Sequence, residues 1–255
     1  MKKILIVSQY TFNEAIKSKL LFNIIFLGFA LVLASYIAAE LSYGSPEKIA
    51  LDIGVGLTSI AVKFIAVFYG VSIIQNEIEN RSIYLILSRP ISKVQYFLGR
   101  TLGMSMMLFL NVTILGPFSI ILFLILGGSL DPLMFWALLF IFIESLLLLL
   151  IVVTCSLFCS KVLAILLSVT AYVAGYVSSS LLASNQFAKA PLFNTILETV
   201  NISLPNFSRL NLKDHLLYVQ NLDLQVLLAT LGHSLCFILA LLLTGSVLIH
   251  RKSLD

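Results

Sequence analysis

The stretch "QNEIENRSIYLILSRPISKVQYFLGR", residues 75–100, decides how the rest of the chain is arranged. It lies between two of the most apolar parts of the chain, yet it holds charged side chains throughout: Glu77, Glu79, Arg81, Arg89, Lys93 and Arg100. Its apolar run at 83–87 is far too short to cross a bilayer, because a spanning helix needs about 20 apolar residues. The stretch therefore predicts a polar connection between two membrane helices, with a small apolar surface of its own.

The composition predicts a membrane protein. Of the 255 residues, 60% are hydrophobic and only 11% are charged, whereas soluble domains carry roughly 25% charged residues. The net charge of +4 is too small to suggest a nucleic-acid partner. Polar residues interrupt the apolar ones after Lys2 and Lys3, so we expect no cleaved signal peptide. The three cysteines all lie in apolar stretches, which argues against a disulfide framework.

Six stretches are long and apolar enough to span the bilayer as helices. They cover residues 20–39, 51–74, 102–126, 133–156, 162–182 and 226–249. Ser45 and Asp131 stand directly before prolines, as capping residues do at helix starts, and Ser92 with Gln95 predicts a capping box. The expected fold is an all-α polytopic membrane protein with one domain, residues 1–255.

Lysine and arginine indicate the orientation, since they concentrate on the cytoplasmic side of membrane proteins. Most of those outside the predicted spans lie on the side that holds both termini and residues 75–100. Only Lys48, Lys189, Arg209 and Lys213 lie on the other side. We therefore expect both termini to be cytoplasmic and the chain to lie in the inner, or cytoplasmic, membrane.

Two segments outside the spans have their own pattern. Residues 1–19 fit an amphipathic helix lying on the cytoplasmic interface, or else a frayed start of the first span. The external segment 183–225 holds apolar residues that predict two short helices, near 191–197 and 212–218. These apolar residues need cover from the rest of the protein, from the bilayer surface or from a periplasmic or extracellular partner.

Within residues 75–100, we expect a short helix from 79 to 88. Arg89 and Pro90 would end it, because the residue before proline avoids helical geometry. Tyr84 and Leu87 are available to fill a pocket on a soluble partner, and the connection would let that partner pull on both neighbouring spans. The alternative is a helix that lies on the membrane surface.

The stretch "NEIENRSIYLILSRPISKVQYFLGR" resembles the signature region of ABC-transporter permease subunits of the type-two exporter family. That family shows an acidic exit from the second span followed by a G-T-I-x-x-L-L-S-x-P-I-S-R pattern. Here Arg81-Ser82-Ile83 replaces the glycine, threonine and isoleucine, whereas residues 87–93 match closely. The expected topology, with its interfacial N-terminal helix, six spans and structured external segment, is also that of the family.

The resemblance implies that residues 77–90 form a coupling helix bound to a separate cytoplasmic ATPase subunit. It implies a second contact at the turn 159–161, and the residues carried over are Glu77, Glu79, Arg81, Tyr84, Leu87, Arg89, Pro90 and Lys161. ATP and magnesium would bind that partner, because this chain has no G-x-x-x-x-G-K-[ST] sequence. No cofactor is expected in the chain itself.

The resemblance also implies a second permease, most simply another copy of this chain. Helices pack closely through small residues, and two such sets occur: Gly99 with Gly103, and Ala171 with Gly175 and Ser179. Both sets suit either a homodimer contact or packing within one subunit.

Lys63 and Glu144 lie at similar depths near the middle of the second and fourth spans. A lone charge there is costly, so we expect the two to pair, either to hold the spans together or to line a transport path. Soft side chains at Cys155, Cys159, Met104, Met106 and Met107 could bind copper or simply fill the core.

Two other functions remain open from the residues alone. A secondary transporter could use Lys63 and Glu144, although no internal repeat is evident. An intramembrane enzyme is expected to show a catalytic motif, and the chain has neither HExxH nor GxSxG. The leading interpretation is an ATP-driven exporter, whose cargo the sequence does not identify and which could instead do work on a periplasmic partner.

Overall fold

The computed structural model describes residues 2–17, 20–41, 44–79, 91–183, 191–213, 216 and 223–251. These residues are almost entirely helical and contain no strand. The helices are α1 (Lys2–Lys17), α2 (Leu20–Glu40), α3 (Pro46–Glu79), α4 (Lys93–Ile125), α5 (Pro132–Ser156), α6 (Lys161–Ala183), α7 (Pro191–Ser203), α8 (Phe207–Leu210) and α9 (Leu224–Arg251). The prediction of an all-α fold is confirmed for this part of the chain.

Helix α5 forms the centre of the bundle. Its sequence is apolar on every side, and a helix of that kind is stable only when it is surrounded. Accordingly, 72% of its spanning window is buried, more than in any other candidate span within the described residues. Helices α3, α4, α6 and α9 pack around it. Because α5 is surrounded, side chains of α3 and α6 can reach its buried side chains from different sides.

Five of the described helices are long and apolar enough to cross a membrane: α3, α4, α5, α6 and α9. They correspond to five of the six predicted spans. The first predicted span, 20–39, lies in α2, where the described apolar part is the shorter helix Phe26–Glu40. The multi-pass membrane fold is therefore confirmed, and the count of six spans stays a prediction.

The predicted helix starts are confirmed at two positions. Ser92 is the N-cap of α4, its hydroxyl accepts from the Gln95 backbone N–H, and the Gln95 side chain accepts from the Ser92 N–H. Asp131 caps α5 by accepting from the Leu133 N–H, with Pro132 in the first turn. Each cap satisfies a backbone donor that a helix start otherwise leaves unpaired.

The bundle has two ends that differ in charge. We call the end that carries Lys93, Arg100, Lys161 and Arg251 the basic end, and the end that carries residues 191–213 the opposite end. The start of α1 and the end of α9, which are the first and last described helices, lie at the basic end. Helix α1 packs on the start of α4, and Gly245 near the end of α9 faces the Phe97 ring near that same start.

Helix α1 packs against the protein along one side, formed by Val7, Ser8, Thr11 and Ala15. On its other side, Leu5, Ile6 and Tyr10 are exposed. Residues 2–17 thus form a helix, and its amphipathic character stays a prediction. Its position at a membrane interface stays a prediction.

Residues 183–225, which are predicted to be external and are called the external segment below, include helices α7 and α8. The short helix predicted near 191–197 is part of α7, which continues to Ser203. The one predicted near 212–218 falls mostly outside the described residues. Helix α8 was not predicted, and its Phe207 is completely buried against α6.

Candidate functional site

At the basic end, the guanidinium of Arg100 joins three helices. This side chain of α4 is only 1% exposed. Its Nη1 donates to Glu14 Oε2 at 2.7 Å and to Thr11 Oγ1 at 3.1 Å, both on α1, and its Nη2 pairs with Glu77 on α3. A buried charge is costly unless it is paired and hydrogen-bonded, so these contacts explain how Arg100 is tolerated. We call these four residues the Arg100 cluster.

Two tyrosine rings lie beside the Arg100 cluster. The guanidinium carbon is 5.4 Å from the centre of the Tyr10 ring and 5.9 Å from that of Tyr96. Cations at such distances over an aromatic face are attracted to it. Because Tyr96 is fully buried, its ring contributes to the low-dielectric surroundings of Arg100, in which ion pairs are stronger.

The end of α3 is also bonded to the turn between α5 and α6. The side-chain amide of Gln75 is buried and donates to the carbonyl oxygens of Ser156 and Cys159. These carbonyls belong to the C-terminal end of α5 and the turn that follows it, where helical C=O groups lack partners within the helix. Residues 75–77 therefore contact α4 and the α5–α6 turn directly, and Arg100 connects them to α1.

The residues expected to contact an ATPase are placed in part. Glu77 belongs to the Arg100 cluster, Glu79 ends α3, and Lys161 begins α6 at the same end of the bundle. The others lie outside the described residues: Arg81, Tyr84, Leu87, Arg89 and Pro90. The described structure thus contains the residues on either side of 80–90, and Gln75 on the first side is bonded to the turn before Lys161.

Sequence reasoning missed most of this arrangement. Arg100 was noted only as a charge, and Glu14 and Gln75 were given no role. A signal was available, because Arg100 directly follows Gly99 of the GxxxG pattern and lies within the apolar start of a long helix. An arginine at such a position needs a buried acidic partner.

At mid-bundle, Lys63 of α3 and Glu144 of α5 form an ion pair, with 2.8 Å between Nζ and Oε1. Tyr172 of α6 bridges them: its hydroxyl accepts from Lys63 at 2.8 Å and donates to Glu144 at 2.8 Å. Glu144 is 2% exposed and Lys63 is 17% exposed. The structure thus brings together the two charges that were expected to pair and adds a third helix to them. Tyr172 was missed, although it lies near the middle of α6 and hence at a similar depth.

A cleft of about 170 Å³ extends from this ion pair toward the opposite end. It lies between α3, α5 and residues 210–213, and Lys63 and Glu144 are part of its wall. Lys213 lines the other end of the cleft, and its Nζ lies 2.8 Å from Oδ1 of Asp52 on α3. The Lys213–Asp52 pair therefore fastens the external segment to the start of α3.

Both small-residue sets make contacts within the chain. A methyl group at Gly99 would lie 2.6 Å from Cβ of Val7, and one at Gly103 would lie 2.5 Å from Cβ of Thr11. These glycines let α1 approach α4 closely.

The second set, on α6, faces the external segment. A methyl group at Gly175 would lie 2.8 Å from the carbonyl oxygen of Pro205, Ala171 packs into the same apolar cluster as Phe207, and Ser179 donates to backbone carbonyls of α6. In the structure this set therefore contacts residues of its own chain.

The sulfur-containing side chains differ in their exposure. Met104 and Met107 are fully buried, whereas Met106 is 45% exposed. Cys155 and Cys159 are half-buried free thiols in an apolar cluster. Among the described residues, no group of three or more His, Cys, Asp or Glu side chains is placed to hold a metal ion. The packing observed here is that of core side chains.

The family model described as "ABC-2 family transporter protein" matches residues 5–224, which include most of α1 and all but the last spanning helix. The chain belongs to the ABC-2 transporter family. It is thus an ABC-2-type permease, a multi-pass membrane component of a transporter, as the stretch 75–100 indicated. A search of the curated proteins finds no match.

Proposed function

We propose that this ABC-2 permease is the membrane subunit of an ATP-driven exporter, and that a separate cytoplasmic ATPase subunit binds residues 77–90 and the turn at Lys161. ATP and magnesium would bind that partner. Family membership supports this reading over an ion-gradient-driven transporter or an intramembrane enzyme.

The observation that carries the proposal is the bonding of the end of α3. Gln75 lies just before the predicted coupling segment 77–90 and is bonded to the α5–α6 turn, and Glu77 begins that segment and is bonded to Arg100. Since Arg100 also holds Glu14 of α1, a displacement of residues 77–90 would act on α1, α3, α4 and α5 together. An energy-transducing subunit needs such a connection between its partner's binding site and its spans.

The proposal includes an orientation and an assembly. The basic end would face the cytoplasm of the cell and carry the termini, in the inner membrane. A second permease, most simply another copy, would complete the transporter over two ATPase subunits. At the opposite end, Ile196 and Ile202 are 59% and 77% exposed, which suits contact with a periplasmic partner or with the bilayer surface.

The test is the association of an ATPase with the tagged chain after purification from its native membrane. In the Tyr84→Glu/Leu87→Glu variant, we expect ATPase activity to stop co-eluting with the chain, because two charges would occupy the apolar docking surface. The matched control is Ile196→Glu/Ile202→Glu, which adds the same charges to exposed apolar side chains at the opposite end. It should retain the ATPase.

Two results would contradict the proposal. One is equal ATPase recovery from the Tyr84/Leu87 variant and the control. The other is transport by the isolated chain in vesicles without nucleotide or any ATPase subunit.

A further inference from the structure

The proposed ATPase contacts lie at the basic end. They do not involve the cleft between α3, α5 and residues 210–213. Its polar lining is concentrated at two places, Lys63 with Glu144 at the inner end and Lys213 with Asn211 at the outer end. Apolar side chains separate them, among them Ile60, Ile141 and Leu210. The cleft thus has the composition of a small binding site, apolar walls with few polar groups.

The single carboxylate in the lining is already satisfied. Glu144 accepts from Lys63 and from the Tyr172 hydroxyl, and the Ser59 hydroxyl also hydrogen-bonds to it. At 2% exposure it offers little to a ligand. A cationic ligand would therefore meet no available acceptor at the inner end.

The two lysines, in contrast, retain donors. An ammonium group has three N–H donors, and Lys63 uses two of them, on Glu144 and Tyr172. Lys213 is 35% exposed and pairs with Asp52, which lies outside the lining. The lining itself thus holds two lysines and one satisfied glutamate, and Asp52 balances the charge of Lys213 from outside the cleft.

We propose that the cleft binds an oxyanion, a carboxylate or phosphate group on a small amphipathic molecule. Lys213 receives the anion at the outer end, Lys63 donates its third N–H at the inner end, and the walls contact a short alkyl part. This binding needs no nucleotide and no ATPase partner, so it is tested separately from the proposed function. Anionic lipids and soluble amphiphiles both carry such groups.

The experiment titrates the purified full-length chain, in nanodiscs of phosphatidylcholine, with octyl phosphate and with octanoate by calorimetry. Octanol and octyltrimethylammonium, of the same chain length, are the neutral and cationic comparisons. We expect saturable binding of the two anions and at least tenfold weaker binding of the other two, because a charge-assisted hydrogen bond is lost with each.

The decisive variant is Lys213→Gln, with Lys48→Gln as its matched control. Both remove one positive charge at the opposite end, and the exposed Lys48 lies outside the cleft. We expect octyl phosphate to bind about tenfold more weakly to Lys213→Gln and within about twofold of the unmodified affinity to Lys48→Gln. A second variant, Lys63→Gln/Glu144→Gln, removes both buried charges together so that neither is left alone, and it should also weaken binding.

Equal affinities of Lys213→Gln and Lys48→Gln, or octanol binding as tightly as octyl phosphate, would overturn the proposal. A further arm adds phosphatidylglycerol to the nanodiscs. Competition with octyl phosphate would identify an anionic lipid as the source of the group, and unchanged affinity would identify a soluble anion. Either of these two results supports the oxyanion site.

Discussion

At Arg100, a permanently charged guanidinium is almost fully removed from solvent and shared between Glu14, Thr11 and Glu77. Arginine suits this position because its planar group presents several donors in fixed directions. Glu14 is 48% exposed and Glu77 only 13%. The contact with α3 is therefore the more strongly desolvated of the two, and it is the one next to the predicted coupling helix.

We expect Arg100→Gln to lower the free energy of unfolding by about 3–5 kcal/mol, because it removes one partner of a buried ion pair. Reversible unfolding in mixed micelles measures the change. Arg209→Gln, an exposed arginine at the opposite end, is the control and should stay within about 0.5 kcal/mol of the unmodified chain. Equal changes in the free energy of unfolding for the two variants would contradict a stabilising role of the Arg100 cluster.

The sequence predicts which residues pair when their depth in the membrane is enough to identify the partner. Lys63 and Glu144 are charges in apolar spans at matching depth, so their 2.8 Å contact could be anticipated. Tyr172 and Gln75 could not be assigned in this way. Their roles depend on how the helices are rotated about their axes, and that rotation is set by packing among several helices.

At the scale of helices, α1 and α4 approach each other closely at the basic end, at Gly99 and Gly103. Because these positions lack side chains, the backbone carbonyls of Ile4 and Ser8 come within about van der Waals contact of α4. The GxxxG pattern was predicted from spacing, but its partner was not, since a dimer and an internal helix offer the same apolar surface. The close approach also brings Glu14 within reach of Arg100.

Substituting Gly103 with alanine should destabilise the chain by about 1–3 kcal/mol, because the new methyl group overlaps Cβ of Thr11. Gly232→Ala in α9 is the matched control: nothing lies within 4 Å of a methyl group there. Alanine in that helix should be neutral or up to about 1 kcal/mol stabilising. Thermal unfolding of both variants in one detergent checks the difference, and a Gly103→Ala variant as stable as Gly232→Ala would refute the packing argument.

For the whole molecule, the separation of charge between the two ends predicts its orientation. In intact cells of a background without native cysteines, Ile202→Cys should react with a membrane-impermeant maleimide, whereas Lys161→Cys should react only after permeabilisation. Both positions lie in described helices at opposite ends of the bundle. The reverse labelling pattern would contradict the assignment of the basic end to the cytoplasm.

One helix, α3, takes part in the Arg100 cluster, in the Lys63–Glu144 ion pair and in the Lys213–Asp52 pair. The 34-residue helix α3 carries Asp52 near its start, Lys63 along its length and Glu77 in its last turn. At 1.5 Å per residue, Asp52 and Glu77 are about 37 Å apart along its axis. If α3 tilts as a rigid body about its middle, its two ends move in opposite directions, so the Lys213–Asp52 pair and the Arg100 cluster would be displaced together.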